Sequence, residues 1–372
     1  MEQMPHYRML GFTTSNEVDP HQWIILDIQF HTTRFKISIS LSDFRDSPIQ
    51  SEAFQRYLAH LLSEKDPRDN FEESDDDAEE EDTALLHDCF DWAVKPCIAD
   101  FERLSPPRPP LKDKQQLTLS YFIASATFEC TLVATDEALT CQDIERVEPD
   151  QDGFSLSPTT PQPPWTTSFP SFTPSEITVL CDDDPNHHPL DSNPTQVHIG
   201  TQRLYFKESL DPDDEVAKRG VETHERIANA DFGANVRTSR LYGIVRDERS
   251  RQMVGLLLYH IEEDTRLAFA VGPGTAEVMR ERWARQVRET LAALHGAGIT
   301  WGDAKADNVL IDVYGDAWIV EFGGGRTEGW VDSGREGTVD GDLQGLERIL
   351  KFIASGGNGQ RELMDGGLES EE

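Results

Sequence analysis

Between His295 and Gly323 the sequence places polar residues in a pattern that few folds can hold. A helix end runs into the loop Trp301-Gly302-Asp303-Ala304-Lys305-Ala306-Asp307-Asn308. The apolar strand Val309-Leu310-Ile311 follows, then a turn at Tyr314-Gly315-Asp316 and a second strand, Ala317 to Val320. The stretch closes at Glu321-Phe322-Gly323. Such a hairpin presents Asp303, Lys305, Asn308 and Glu321 at its rim. Taken singly, each has a plainer reading: an Asp or Asn in a loop usually bonds its own backbone, and a lone lysine is usually solvated. As a set, they supply what phosphoryl transfer requires. A carboxylate orients the attacking hydroxyl, an amide and a carboxylate hold Mg²⁺, and a cation offsets phosphate charge.

The flanking elements are legible from their periodicity. Ala276 to His295 reads as a helix with Trp283, Val287, Leu291 and Leu294 on one face, stopped by Gly296 and Gly298. Upstream, Gln202 to Lys207 reads as a strand, and Asp214 to Ala230 as a helix with Val216, Val221, His224 and Ile227 along one side. Leu241 to Val245 and Met253 to Ile261 read as strands around the charged turn Arg246 to Arg251. Asp340-Gly341-Asp342 opens a last helix, with Leu343, Leu346, Leu350 and Ile353 expected inward. Gly356-Gly357-Asn358-Gly359 ends that pattern.

This organisation resembles the protein-kinase-like superfamily, in which H-x-D-x-K-x-x-N is followed by two short strands and D-F-G. From Asp303 the separations are two residues to Lys305, five to Asn308 and eighteen to Glu321, as in that family. Trp301 stands at the family's His position and Glu321 at its metal-binding Asp. The loop looks most like compact, divergent kinase-like proteins of the type common in filamentous fungi. The resemblance implies an α+β fold, a truncated protein-kinase-like two-lobe domain over residues 176–355. It implies Asp303 as the carboxylate that orients the acceptor hydroxyl and Lys305 as the phosphoryl-stabilising cation, with Asn308 and Glu321 as Mg²⁺ ligands. Lys207 would align the ATP phosphates and pair with Glu222 on the next helix, Glu225 being the rival. Asp342 matches the residue that holds the catalytic-loop backbone. The expected activity is ATP- and Mg²⁺-dependent transfer of the γ-phosphoryl group to a hydroxyl of a protein or small molecule. The alternative is a pseudokinase, a nucleotide- or protein-binding module without turnover. It draws on Glu321, on the shortened large lobe, and on the lack of a G-x-G-x-x-G before Lys207, where Gly200 stands alone. After Phe322, three consecutive glycines would give the activation segment its freedom.

The remainder is a different kind of sequence. Trp23 to Phe30 and the alternating Phe35 to Leu41 predict a hairpin. Ala53 to Leu62 predicts a helix, and Thr83 to Leu104 another, interrupted at Pro96. Leu117 to Val133 predicts two strands. Residues 1–147 thus read as a small N-terminal α+β module without a catalytic set. Residues 148–175, rich in Pro, Ser and Thr, read as a linker, although Trp165, Phe169 and Phe172 suggest some packing. The acidic run near 72–82 and the tail 356–372 are expected to be disordered. With 69 acidic against 34 basic residues, a formal charge of −35, the composition argues against nucleic acid and anionic membranes as partners. Five scattered cysteines show no metal-ligand spacing and suit a reducing compartment. No apolar run is long enough to span a bilayer. A cytoplasmic or nuclear protein is the expectation.

Overall fold

The computed structural model describes residues 5–15, 21–63, 76–106, 117–124, 126–147, 166–181, 193–209, 215–248, 250–324 and 329–356. The chain is a mixed α+β protein of two compact units. Residues 1–162 and 178–194 form one, and residues 163–177 and 195–372 the other. Among the described residues, no helix is long and apolar enough to cross a membrane.

The first unit is built on five strands in sequence order: β1 (Arg8–Thr14), β2 (Trp23–Phe30), β3 (Thr33–Arg45), β4 (Ala126–Thr135) and β5 (Ala138–Val147). All neighbours are antiparallel except β3 and β4. A parallel pair needs a long crossover. Here it contains α1 (Pro48–Ser63), α2 (Asp76–Val94) and α3 (Ile98–Leu104). The period-two pattern buries Ile24, Leu26 and Ile28 of β2 with Phe35, Ile37 and Ile39 of β3. The helices return Phe54, Leu58, Ala93 and Phe101 to the same core, and Phe35 stacks between Phe101 and Phe128.

Pro96 does interrupt the second predicted helix: a single 3-10 turn, Lys95–Cys97, separates α2 from α3. The acidic run differs from its expectation. Residues 72–75 lie outside the described residues, and 76–82 form the opening turns of α2. The expectation of two strands within Leu117 to Val133 is corrected. Leu119–Tyr121 is a 3-10 turn, β4 is the one strand in that stretch, and its antiparallel partner β5 comes later. Cys89, Cys97, Cys130 and Cys141 are free thiols. Three of them, Cys97, Cys130 and Cys141, meet in this unit. Hydrogen bonds donated by Cys130 and Cys97 hold the Cys141 thiol below its ordinary range.

Two short strands lie in the next segment, β6 (Ser171–Phe172) in the second unit and β7 (Thr178–Val179) in the first. In the second unit, β8 (Gln196–Ile199) and β9 (Gln202–Glu208) form a hairpin, and α4 (Glu215–Asn229) follows. Then come β10 (Leu241–Arg246) and β11 (Met253–Tyr259). These strands lie side by side in the order β6–β10–β11–β9–β8. Downstream are β12 (Glu263–Arg266), α5 (Leu267–Ala270), α6 (Glu277–Gly296), β13 (Val309–Asp312), β14 (Ala317–Ile319) and α7 (Val339–Ser355), with β12, β13 and β14 forming a small antiparallel sheet. The main core of this unit gathers Trp283, Val287, Leu291 and Leu294 of α6 with Leu346, Ile349, Phe352 and Ile353 of α7.

Two positions on the helices turn outward against expectation, Val216 of α4 and Leu343 of α7. The buried face of α7 runs through Asp342, Gly345, Leu346 and Ile349, and that of α4 through Val221, His224 and Ile227, so Leu343 and Val216 fall outside those stripes. Ile349 and Phe352 supply the missing apolar contacts of α7. The Pro/Ser/Thr-rich stretch is also more structured than its composition suggests. Residues 148–165 lie outside the described residues, but β6 pairs in parallel with β10, and Phe172 stacks on Tyr242. The described part of the segment before α7 is docked as well: Trp330 and Val331 are buried against that helix's core face, and Asp332 pairs with Arg348. Residues 357–372 lie outside the described residues.

Candidate functional site

The site begins at a buried carboxylate. Thr338 caps α7, its hydroxyl accepting from the Gly341 N–H at 3.0 Å. The first turn thereby presents Asp342 inward, 2% exposed. The Asp342 carboxylate accepts from the Trp301 N–H at 2.7 Å, the Gly302 N–H at 2.8 Å and His295 Nε2 at 2.9 Å. One side chain therefore ties the end of α6, the loop and the start of α7 together. Close approach of α7 to the loop depends on Gly345, where a Cβ would stand 2.4 Å from the Ala304 carbonyl oxygen. Trp301 is 1% exposed and donates from its indole N–H to the Val320 carbonyl at 2.8 Å. A tryptophan at this position thus fastens the loop to the residue just before Glu321.

On that base Asp303, Lys305 and Asn308 are brought together. The Asn308 amide nitrogen donates to Asp303 Oδ2 at 2.7 Å and to the Asp303 carbonyl at 3.0 Å. Lys305 Nζ lies 3.7 Å from the same Oδ2. Lys305 and Asn308 are both buried, so the lysine's charge is kept beside a counter-charge, as burial demands. The Asn308 carbonyl accepts from the Val320 N–H at 3.0 Å, joining this cluster to the segment that leads from β14 to Glu321.

Lys207 and Glu321 form an ion pair between β9 and the residue that follows β14 and Val320. The expected Lys207–Glu222 pair is not formed. Glu222 points to the exposed side of α4, and Glu225 is committed elsewhere. Glu225 accepts from Thr167 Oγ1 and from the Ser168 N–H, and these bonds hold its carboxyl below the usual range. Between Val221 and Ile227, α4 turns His224 inward, and its ring stands edge-on to Phe322. It is buried, and its Nδ1 has no hydrogen-bond partner. Burial first, then the positive charges of Arg240 and Lys207, depress its pKa to about 3. Contact between α4 and the Glu321-Phe322-Gly323 segment is tight: a Cβ on Gly220 would stand 2.6 Å from the Phe322 carbonyl oxygen. A carboxylate on this inward face would be buried against Phe322, which explains why an uncharged imidazole occupies it.

Where a glycine-rich loop would lie, β8 and β9 are joined by a two-residue turn, Gly200-Thr201, with Gly200 at φ 57° and Ile199 paired to Gln202. As for a metal, the Asn308 amide is oriented by its two N–H···O bonds, which leaves Oδ1 as an acceptor. With the Asp303 carboxylate beside it, this oxygen is a hard donor of the kind that suits Mg²⁺, while the Glu321 carboxylate is engaged by Lys207. Glu321 itself sits at φ 61°, an unusual backbone for a residue with a long side chain.

No family model matches the sequence. Over 91 residues, 21% of this chain, it is 31% identical to the serine/threonine-protein kinase PKH3 of Eremothecium gossypii. The match takes in 12% of that protein's length. This similarity hints at a kinase-like relationship.

Proposed function

We propose that residues 195–356 form a compact two-lobe domain of the kinase type. On this reading the chain is an ATP- and Mg²⁺-dependent phosphotransferase acting on a hydroxyl of a protein or small molecule. The observation that carries the reading is the bonded set of Asp303, Lys305 and Asn308 standing on the Asp342 clamp. Lys207, 114 residues before Glu321, is brought to that carboxylate. Asp303 orients the acceptor hydroxyl and takes its proton. Lys305, held beside it, offsets charge on the transferring group. Asn308 and Glu321 would hold Mg²⁺, which supplies charge neutralisation of the phosphates when bound. Lys207 binds phosphate oxygens, and to do so it must leave or share Glu321. Both partners of that pair are about two-fifths exposed, at 41% and 40%. Such a pair is worth no more than about 1 kcal/mol, so nucleotide binding can open it.

A second reading, a pseudokinase that binds without turnover, is favoured by the short Gly200-Thr201 turn and by the engagement of Lys207 with Glu321. A thermal-shift titration with ATP, with and without Mg²⁺, tests both. The phosphotransferase reading expects ATP to raise the melting temperature in a Mg²⁺-dependent way, with most of the rise lost in Lys207→Met. A shift that ignores Mg²⁺, without turnover, favours the second reading. No shift at millimolar ATP removes both nucleotide-binding readings.

A further inference from the structure

The three cysteines of the first unit come from separate elements. Cys97 ends the 3-10 turn that Pro96 starts, Cys130 lies on β4, and Cys141 lies on β5. Their sulfur atoms all lie within 4.8 Å of one another. Two features of the fold produce this meeting. The break at Pro96 carries the chain from α2 to α3 with Cys97 buried, 0% exposed. The β4–β5 ladder shifts register between Glu129 and Thr131, and Cys130 sits at that irregularity. The ladder then pairs Cys141 with Leu132, two residues from Cys130, so all three thiols enter one corner of the core.

The dimensions fit a metal ion. Four sulfurs around zinc, each at about 2.3 Å, stand about 3.8 Å apart. Sulfurs already inside 4.8 Å reach that spacing with displacements on the order of 1 Å, within side-chain adjustment. Ligand softness selects the class of ion: thiolates prefer Zn²⁺ or Cu⁺ over Mg²⁺ or Ca²⁺. Charge then decides between them. Cys130 is 3% exposed and Cys97 is more deeply buried. Asp100 adds a negative charge close to Cys130 and Cys141. A divalent ion leaves less uncompensated charge in this corner than a monovalent one. Cys141 is only half-buried, so the cluster opens on its side.

We propose that Cys97, Cys130 and Cys141 bind one thiophilic divalent cation of the zinc class, with its fourth position open on the Cys141 side. The site is independent of the phosphotransferase reading, because it lies in the other unit and uses none of the same residues.

The test uses the full chain, reduced and stripped with a chelator, then titrated with Co²⁺ and back-titrated with Zn²⁺. The expected result is one Co²⁺ per chain, with sulfur-to-cobalt charge-transfer absorption that Zn²⁺ abolishes. Cys141→Ser should lower the charge-transfer intensity by about a third and weaken zinc binding by more than about 100-fold. Cys181→Ser should change neither. Cys141 is the variant of choice because it is the least buried of the three. If Cys97→Ser fails to fold, the wild-type spectrum and Cys141→Ser still decide. A reduced wild-type chain that takes up no Co²⁺, or uptake that survives Cys141→Ser unchanged, overturns the proposal and leaves the thiols as core packing.

Discussion

As the proposed Mg²⁺ ligand, Glu321 would carry two burdens that an aspartate would not. Its side chain is one methylene longer, a displacement of about 1.5 Å for the carboxylate. Mg²⁺ tolerates little misplacement of its near-octahedral oxygens, and errors of about 1 Å can cost on the order of a hundredfold in rate. Its backbone at φ 61° is also a conformation that Asp adopts more readily than Glu. Glu321→Asp should therefore raise Mg²⁺-dependent turnover and release Lys207 from its ion pair. A fall in an already brisk activity would mean the site has adapted to the longer side chain. His224 gives a second residue-scale expectation. Facing Phe322, Arg240 and Lys207, it stays neutral when folded down to about pH 3. Unfolded, it takes a proton near 6.5. The unfolded state thus binds more protons between those limits, and stability is lost as pH falls through that window. From pH 7 to 5 the loss is about 2 kcal/mol. Urea denaturation of wild type and His224→Phe at the two pH values should show that much less pH dependence in the variant. Equal dependence in both would show that His224 does not titrate this way.

Among the elements, α7 holds the loop in place by lying against it through Gly345. A methyl group at that position must displace the Ala304 carbonyl or the helix itself. Gly345→Ala should cost about 1–3 kcal/mol, the range for overpacking, read as a lowered urea midpoint. An unchanged midpoint would mean the helix and loop have room that the structure does not give them. The helices and hairpin around the site were legible because burial on one face imposes a period on the sequence. Trp283, Val287, Leu291 and Leu294 declare α6, and the spacing from Asp303 to Asn308 and Glu321 declares the rim. What α4 turns inward was not legible in its role. His224 was visible as a face residue, but that it, rather than Glu222, stands nearest Phe322 depends on how closely Gly220 lets the helix approach. The thiol cluster was hidden for a related reason. Its members are spaced by a parallel crossover and a strand hairpin, so their meeting is a property of tertiary structure and no local motif marks it. β5 was missed because its exposed face carries Gln142, Asp143, Glu145 and Arg146, which break the apolar alternation.

At the scale of the whole molecule, the chain crosses between its two units more than once, since 163–177 belong with the second and 178–194 with the first. Composition alone assigns the stretch through residue 175 to a linker. The pairing of β6 with β10, the Phe172–Tyr242 stack and the Glu225 bonds to Thr167 and Ser168 argue otherwise. A fragment spanning 163–372 should melt about 2–8 °C above one spanning 178–372, if those contacts are worth on the order of 1–2 kcal/mol. Equal melting temperatures would return the segment to the status of a linker. The proposed phosphoryl transfer at Asp303 is decided by supplying γ-labelled ATP and Mg²⁺ to the full chain in cell extract freed of endogenous kinase activity. Asp303 in the proposed role should give label on a protein or small-molecule acceptor, lowered by orders of magnitude in Asp303→Asn while ATP and Mg²⁺ still shift that variant's melting temperature. Transfer that proceeds undiminished in Asp303→Asn, or ATP binding lost together with rate, would contradict it.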